Sequence, residues 1–383
     1  MKEFILREIN TELTKAELEK IGFDKSYSTK AVNKYRYRNI KIFPLTSAQA
    51  NILKQTALSI GADCATHRNV ITGNIENSSV ILGGSISELK QIAQKLKYQP
   101  FSLSTLGEKI EQILESKPRS ATKITGILNI TPDSFSDGGE FLDPKLACAH
   151  LMEMIEDGAD MIDIGAESTR PFSQGVSADE QIKRLLPILN FIEKENIKLP
   201  ISVDTRSSEV ADFALNKGIS YINDVSGFDF DIKMPKIVSK YNAGIILQHS
   251  KGVPENMQEN PTYQDLMSEI YLKLQEKIKL AEEHGIKNII IDPGIGFGKK
   301  KEDNYELLNN IQEFYSLNRP VMVGISRKSF LRLDKSADNL TKDALTLAIS
   351  YPLIQKKVDY LRVHNIKLHK QLTSQANYIY PCS

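Results

Sequence analysis

From Lys123 onward, short apolar runs alternate with longer stretches whose apolar residues recur at helical spacing. The runs lie at Ile124–Ile130, Met161–Ile164, Ile201–Val203, Tyr221–Asn223, Gly244–Leu247, Asn288–Ile291, Val321–Val323 and Tyr360–Val363. Each predicts a strand buried on both faces. The helical stretches between them include Pro144–Gly158, Asp179–Lys194, Ser207–Lys217, Pro261–His284 and Thr341–Lys357. Eight strands alternating with helices over about 260 residues predict a (β/α)8 TIM barrel. An open doubly wound sheet is the alternative, with fewer strands and one crevice at its switch point. The polar positions decide between them. Asp163, Asp204, Asn223, Gln248, Asp292 and Arg362 each sit at or just past the C-terminal end of a predicted strand. One such residue is often only a turn former. Six repeats of the placement fit a barrel, whose strand ends converge on one face.

The first third carries a different pattern. Phe4 to Ile9 predicts a strand and Thr14 to Ile21 a helix. Thr46 to Gly61 predicts a longer helix with Ala48, Ile52, Leu53, Ala57 and Ile60 on one face. Asn77-Ser78-Ser79 reads as a turn into a short strand, Val80 to Leu82, ended by Gly83-Gly84. Ser87 to Leu96 predicts a helix with Leu89, Ile92, Ala93 and Leu96 inward, and Leu106 to Leu114 is amphipathic. His67-Arg68-Asn69 reads as a solvated turn. The polar break Glu115 to Ser120 marks the boundary: a small α+β domain over residues 1–117, then the barrel over 118–383.

Composition narrows the class of function. A length of 383 residues favours two domains over one, and 41% apolar with 25% charged residues is ordinary for a globular protein. A net charge of +1 gives no reason to expect nucleic acid or a membrane surface, which leaves small-molecule ligands. Cys64, Cys148 and Cys382 have no CxxC spacing, which predicts free thiols in a reducing compartment and no zinc site. The N-terminal apolar run is broken by charges, so it does not read as a signal peptide. No apolar run approaches the ~20 residues of a membrane span. The expected location is cytoplasmic.

Chemistry concentrates first in Gly126 to Gly139, GILNITPDSFSDGG. A buried strand breaks at Thr131-Pro132 into a polar loop with one aromatic, Phe135, which suits a lid over a flat ligand better than a core. Six further segments follow in order: ESTRP at Glu167–Pro171, SVDTR at Ser202–Arg206, IND at Ile222–Asp224, IDPGIGFGK at Ile291–Lys299, SRKSF at Ser326–Phe330 and RVH at Arg362–His364. The glycine spacing at Gly294–Gly298 is GxGxG, not the GxGxxG of a dinucleotide loop, and it reads as a loop passing close to substrate. Together the seven segments resemble dihydropteroate synthase in its long bacterial form with an N-terminal extension, over roughly the last two-thirds of the chain.

That resemblance implies a reaction and a set of roles. A pterin pyrophosphate condenses with p-aminobenzoate, by an SN1-like displacement at the pterin methylene, to give 7,8-dihydropteroate and pyrophosphate. The pterin would be read by Asp204, Asn223, Gln248, Asp292, Phe297, Lys328 and Arg362. Carboxylates for ring donors, with an amide and cations for acceptors, match such an edge. Pyrophosphate would meet Asn129, Thr169, Arg362 and His364, with Mg2+ on Asn129. The aminobenzoate would lie against Phe135, Thr169, Arg170, Pro171 and Ser329. Asp133, Phe135, Asp137, Lys328 and Arg362 would carry catalysis. A homodimer and sulfonamide sensitivity are also implied. Three positions depart from the family pattern: Phe172 follows Arg170-Pro171 where Gly is usual, Gln248 stands for Met, and Asn365 for Asp. Competing readings are a methyltetrahydrofolate-type pterin methyltransferase and a non-catalytic pterin-binding paralogue. The first needs no pyrophosphate or aminobenzoate site. The second would be favoured by loss of Lys328, Arg362 or Asp292, all of which are present.

Overall fold

Period-2 alternation gives every residue of a barrel strand a place in the lumen or against the helices. The computed structural model describes residues 4–115, 119–131, 144–167, 175–252, 261–331 and 337–379. The chain divides into two units, Met1–Lys117 and Pro118–Ser383.

The first unit runs α1 (Thr14–Lys20), α2 (Lys25–Val32), β1 (Tyr37–Leu45), α3 (Ser47–Leu58), β2 (Asp63–Thr66), β3 (Ser78–Ser85), α4 (Ile86–Leu96) and α5 (Leu103–Leu114). Its antiparallel sheet has the order β1-β3-β2. Leu53, Leu82, Leu89, Ile92 and Leu96 are fully buried in its core. Capping boxes start α3 (Thr46 with Gln49) and α4 (Ser85 with Glu88), satisfying first-turn N–H groups. Three expectations fail here. Phe4–Ile9 is no strand: Phe4, Ile5 and Leu6 are 86%, 93% and 89% exposed, because no neighbouring strand pairs with them. Ala48 faces out and Ala50 in, a shift of the buried face of α3. β3 does not stop at Gly83-Gly84 but pairs through them to Ser85. The Tyr37 side chain covers Gly83, where a Cβ would come within 2.5 Å of its hydroxyl, so the glycine permits the packing. β1, β2 and α2 were not anticipated; in β1 and β2, charges at Arg38, Lys41 and Asp63 mask the alternation. His67–Asn69 is a turn, with the Asn69 N–H donating to His67 Nδ1 at 3.2 Å.

The second unit alternates β4 (Lys123–Asn129), α6 (Pro144–Glu156), β5 (Met161–Gly165), α7 (Ala178–Lys194), β6 (Ile201–Asp204), α8 (Ser208–Asn216), β7 (Tyr221–Asp224) and α9 (Met234–Lys240). It continues with β8 (Gly244–Gln248), α10 (Leu266–Glu283), β9 (Ile289–Asp292), α11 (Lys301–Asn309), β10 (Met322–Gly324), α12 (Asn339–Gln355), β11 (Tyr360–Val363) and α13 (Ile366–Ile379). The parallel sheet has the order β10-β11-β4-β5-β6-β7-β8-β9, and a bridge between Ile291 and Val321 closes it into a barrel. This is the (β/α)8 architecture expected from the sequence.

Alternation sorts the residues by layer. Ile162, Ile164, Ile222, Leu247, Ile291, Val323 and Leu361 join the large core against the helices. A separate small cluster contains Met161, Ile246, Ile290 and Met322, with Tyr221 and Tyr360 packed on it. Each of its members lies two residues before a residue farther along its strand: Gln248, Asp292 and Gly324 end theirs, Asn223 and Arg362 lie one residue short of the end, and Asp163, expected at a strand end, is instead the middle residue of β5. One face of these strands is therefore apolar at its start and polar at its end.

Candidate active site

On the β5–β7 side, the carboxylates gather around one guanidinium. Arg362 donates from Nε to Asp163 Oδ2 at 2.6 Å and from Nη2 to Asp204 Oδ2 at 3.0 Å. Asp163, fully buried, also accepts from Ser202 Oγ at 2.6 Å and Asn223 Nδ2 at 2.9 Å. The other oxygen of Asp204 is buried with no partner. Burial, then the charge of Asp163, pushes the Asp204 carboxyl up to about 8, against the pull of Arg362. For Arg362, burial acts downward, but Asp163 and Asp204 outweigh it and raise its affinity for its proton.

On the β8–β10 side, lysines surround a carboxylate. Asp292 ends β9 and accepts from the Gly294 N–H at 2.7 Å. Burial raises its pKa, opposed chiefly by Lys328. Lys328 Nζ donates to Ile295 O at 2.5 Å and lies 4.6 Å from the centre of the Phe297 ring. Burial brings Lys328 down to about 8, with Asp292 resisting. A Cβ on Gly296 would come within 3.2 Å of the Lys328 stem, and φ there is +85°, so glycine fits both the conformation and the space. Gly324 lies between the two sides: its Cβ position is 3.7 Å from Lys328 Nζ and 3.8 Å from Arg362 Cβ. Gln248, the end of β8, pairs in register with Asp292, and its Nε2 is buried without a partner.

Asp204, Asn223, Asp292, Lys328 and Arg362 thus gather at one rim, with Gln248 and Phe297. Asn129 ends β4 on the same rim: its Oδ1 is 3.3 Å from the Cβ position of Gly165, whose register partner is Asp204. His364 follows β11, where its Nδ1 and N–H meet Ser326 Oγ at 2.9 and 3.2 Å. Ser329 is exposed at the start of a single 3-10 turn. Asn365 keeps two roles that its short amide can fill. It donates to Asp343 at 3.1 Å and accepts from the Leu368 N–H at 3.1 Å, capping α13. Asp343 also holds Arg327 through two bonds of 2.8 and 2.9 Å, which ties together the loops after β10 and β11. Asp133, Phe135, Asp137, Thr169, Arg170, Pro171 and Phe172 lie outside the described residues.

Three buried groups were given no role from the sequence. Asp163 is one; a lone carboxylate inside an apolar strand needs partners, which is the signal it offered. Glu167 is another: it accepts from the Val176 N–H at 3.1 Å, Arg206 Nη2 at 3.3 Å and Gln181 Nε2 at 3.2 Å. The third is Lys299, whose Nζ meets Phe297 O at 2.9 Å, His249 Nδ1 at 3.0 Å and His249 O at 3.4 Å. Burial lowers Lys299 to about 7, and burial followed by the Lys299 charge keeps His249 well below the usual imidazole range.

Comparison with known proteins identifies the family of this chain. The family described as pterin binding enzyme matches residues 125–364. A dihydropteroate synthase of Clostridium beijerinckii is 43% identical over 248 residues, covering 64% of this chain and 89% of that protein. A Helicobacter pylori protein named bifunctional dihydropteroate synthase/dihydropteroate reductase is 32% identical over 370 residues, 96% of this chain and 97% of that one. The crystal structure of Clostridium difficile dihydropteroate synthase, determined in the presence of pteroic acid, superposes with a TM-score of 0.63 at 35% identity. It covers 69% of this chain and 98% of its own. The chain belongs to the pterin binding enzymes and, among them, to the dihydropteroate synthases of folate biosynthesis.

Proposed function

We propose that the rim binds 6-hydroxymethyl-7,8-dihydropterin pyrophosphate and p-aminobenzoate and joins them. The observation that carries this reading is a pair of buried orphans at strand ends on one rim, the acceptor Asp204 Oδ1 and the donor Gln248 Nε2. Buried polar atoms without partners are costly unless a ligand supplies them. A flat heterocycle with adjacent donors and acceptors supplies both. Asp204, Asn223 and Asp292 take the ring's N–H groups, while Lys328 and Gln248 face its acceptors. Arg362, His364 and the Ser326–Ser329 turn receive the diphosphate, where barrels commonly bind phosphate.

In the reaction, the C–O bond between pterin methylene and pyrophosphate breaks with its electron pair on the leaving group. The aminobenzoate nitrogen then forms the new C–N bond and loses a proton. The protein's part is to hold the ring, neutralise the departing charge and exclude water from the methylene. Asp133, Phe135, Asp137, Thr169, Arg170, Pro171 and Ser329 complete the aminobenzoate side in this reading. Mg2+ fits the donor set. Among the described residues no three His, Cys, Asp or Glu side chains could hold a metal, and Asn129 offers one amide oxygen. A Mg2+ that arrives on a diphosphate keeps several waters and needs few protein ligands. When bound, it would offset charge on the leaving group. Two copies associate through the outer helices, covering exposed Leu340 and Leu345 of α12 and Tyr378 and Ile379 of α13; a monomer by light scattering would refute this.

The full chain given both substrates and Mg2+ should release dihydropteroate and pyrophosphate. Pterin binding without product would favour the non-catalytic paralogue. A second reading, that the chain also reduces dihydropteroate, is favoured by the Helicobacter pylori relative, whose match spans both units. Oxidation of a reduced nicotinamide or flavin, dependent on added dihydropteroate, tests it; no such oxidation sinks it. Among the described residues no helix is long and apolar enough to cross a membrane.

A further inference from the structure

We propose that Asp163 is a positioning residue: it fixes Arg362 and Asn223 so that one oxygen of Asp204 stays open to the pterin. The inference rests on the pterin reading above. Asp163 takes donors from three strands, Ser202 Oγ of β6, Asn223 Nδ2 of β7 and Arg362 Nε of β11. Two of these three are groups assigned above to the substrate. The two carboxylates on Arg362 are not equivalent. Both oxygens of Asp163 are engaged by protein, whereas Asp204 has one oxygen on Arg362 and one orphan.

The guanidinium geometry explains the division. Its planar fork presents Nε and the two terminal nitrogens on different edges. With Nε held by Asp163, only Nη2 reaches Asp204. Without Asp163, the fork is free to turn and take both oxygens of Asp204, the favoured bidentate arrangement. That would cover the oxygen left for the ligand and release Asn223 from its anchor. The strongest charges that act on Asp204 are Asp163, Arg362, Glu167 and Asp224, in that order, and Lys328 also interacts with it. The negative charge of Asp163 holds the Asp204 proton on, while the positive charge of Arg362 opposes it.

The test is Asp163→Asn in the full chain, beside wild type. The kcat/KM for the pterin pyrophosphate should fall about 100-fold, with KM for p-aminobenzoate within about twofold. The acid limb of kcat/KM against pH should also move down, by about one unit, because Asp204 loses its largest raising charge and gains a closer cation. A lower rate with the limb unmoved would mean structural damage only and would overturn the proposal. Circular dichroism checks folding. Should Asp163→Asn not fold, Ser202→Ala decides, since it removes a single bond to Asp163: a loss of about tenfold in the same kcat/KM supports the proposal. Wild-type rates from folded Ser202→Ala overturn it. If wild type itself makes no dihydropteroate, the parent reading fails, and this inference with it. If wild type is active and the variants match it, only this inference fails.

Discussion

On the β5–β7 side of the rim, two carboxylates, Asp163 and Asp204, share the guanidinium of Arg362. On the β8–β10 side, one carboxylate, Asp292, sits among two ammonium groups, Lys328 and Lys299. Burial penalises charge on both sides, raising Asp204 and Asp292 and lowering Lys328 and Lys299. Beside the charge of Asp163, Asp204 rises to about 8. Asp292 resists the fall of both lysines, Lys328 to about 8 and Lys299 to about 7. The rim thus sets buried carboxyls and amines side by side, which suits a ligand edge that mixes donors and acceptors.

The largest effect should come from Arg362, the shared cation. Arg362→Ala should lower kcat/KM about 10²–10³-fold and stability by about 3–5 kcal/mol, because two buried carboxylates lose their partner. Urea unfolding and steady-state kinetics measure both; wild-type stability would break the picture of a shared counter-ion.

Next, the two sides should give pH dependences of opposite sign. Asp204 has a folded value of about 8, above the 3.8 of an ordinary Asp. Its contribution to stability is full below that ordinary value. It is lost as pH rises toward about 8, because the unfolded chain releases a proton the folded chain keeps. Lys328 behaves in reverse. Between about 8 and the ordinary 10.5 the folded chain has already lost the proton that the unfolded chain keeps, so its contribution grows with pH. Asp204→Asn should remove a downward slope from about pH 4 to 8, and Lys328→Met an upward slope from about 8 to 10.5. Difference curves of the same sign would abolish the distinction. Lys299→Met should resemble Lys328→Met, with its window opening nearer pH 7. Loss of its bonds to Phe297 and His249 should also raise KM for the pterin substrate.

The smallest effect is a control at a helix cap that, among the described residues, bonds none of the rim's charged groups. Asp265 caps α10, accepting from the Ser268 N–H at 3.1 Å. Asp265→Ala should cost about 1 kcal/mol and leave both pH slopes unchanged, as urea titrations at several pH values would show.

Legibility in the sequence was uneven for physical reasons. The barrel strands were readable to within one or two residues because strands buried on both faces are near-continuous apolar runs. In the first unit, α4 was readable from Leu89, Ile92, Ala93 and Leu96, all now fully buried. β1 was not, because charges stand on both of its faces, Lys41 on one and Arg38 in line with core-packed Ile40 and Ile42 on the other. Phe4–Leu6 misled in the opposite way: an apolar run makes a strand only where a neighbour completes its hydrogen bonds. At the site, motif residues were legible as residue types, but their supports were not. Asp163, Glu167 and Lys299 act on groups 199, 39 and 50 residues away along the chain.

By itself, then, the chain's order of apolar and polar residues determined eight strands and a polar residue near the end of most of them. Local spacing is sufficient for this, since a strand's period is a property of the backbone. Tertiary structure alone decided which polar ends are satisfied by each other and which are left open. Whether Asp204 keeps a free oxygen depends on where Arg362, from the last strand, is held by Asp163, from the second. Such protonation and pairing follow from distances and burial, which closure of the barrel sets and no local stretch of sequence contains.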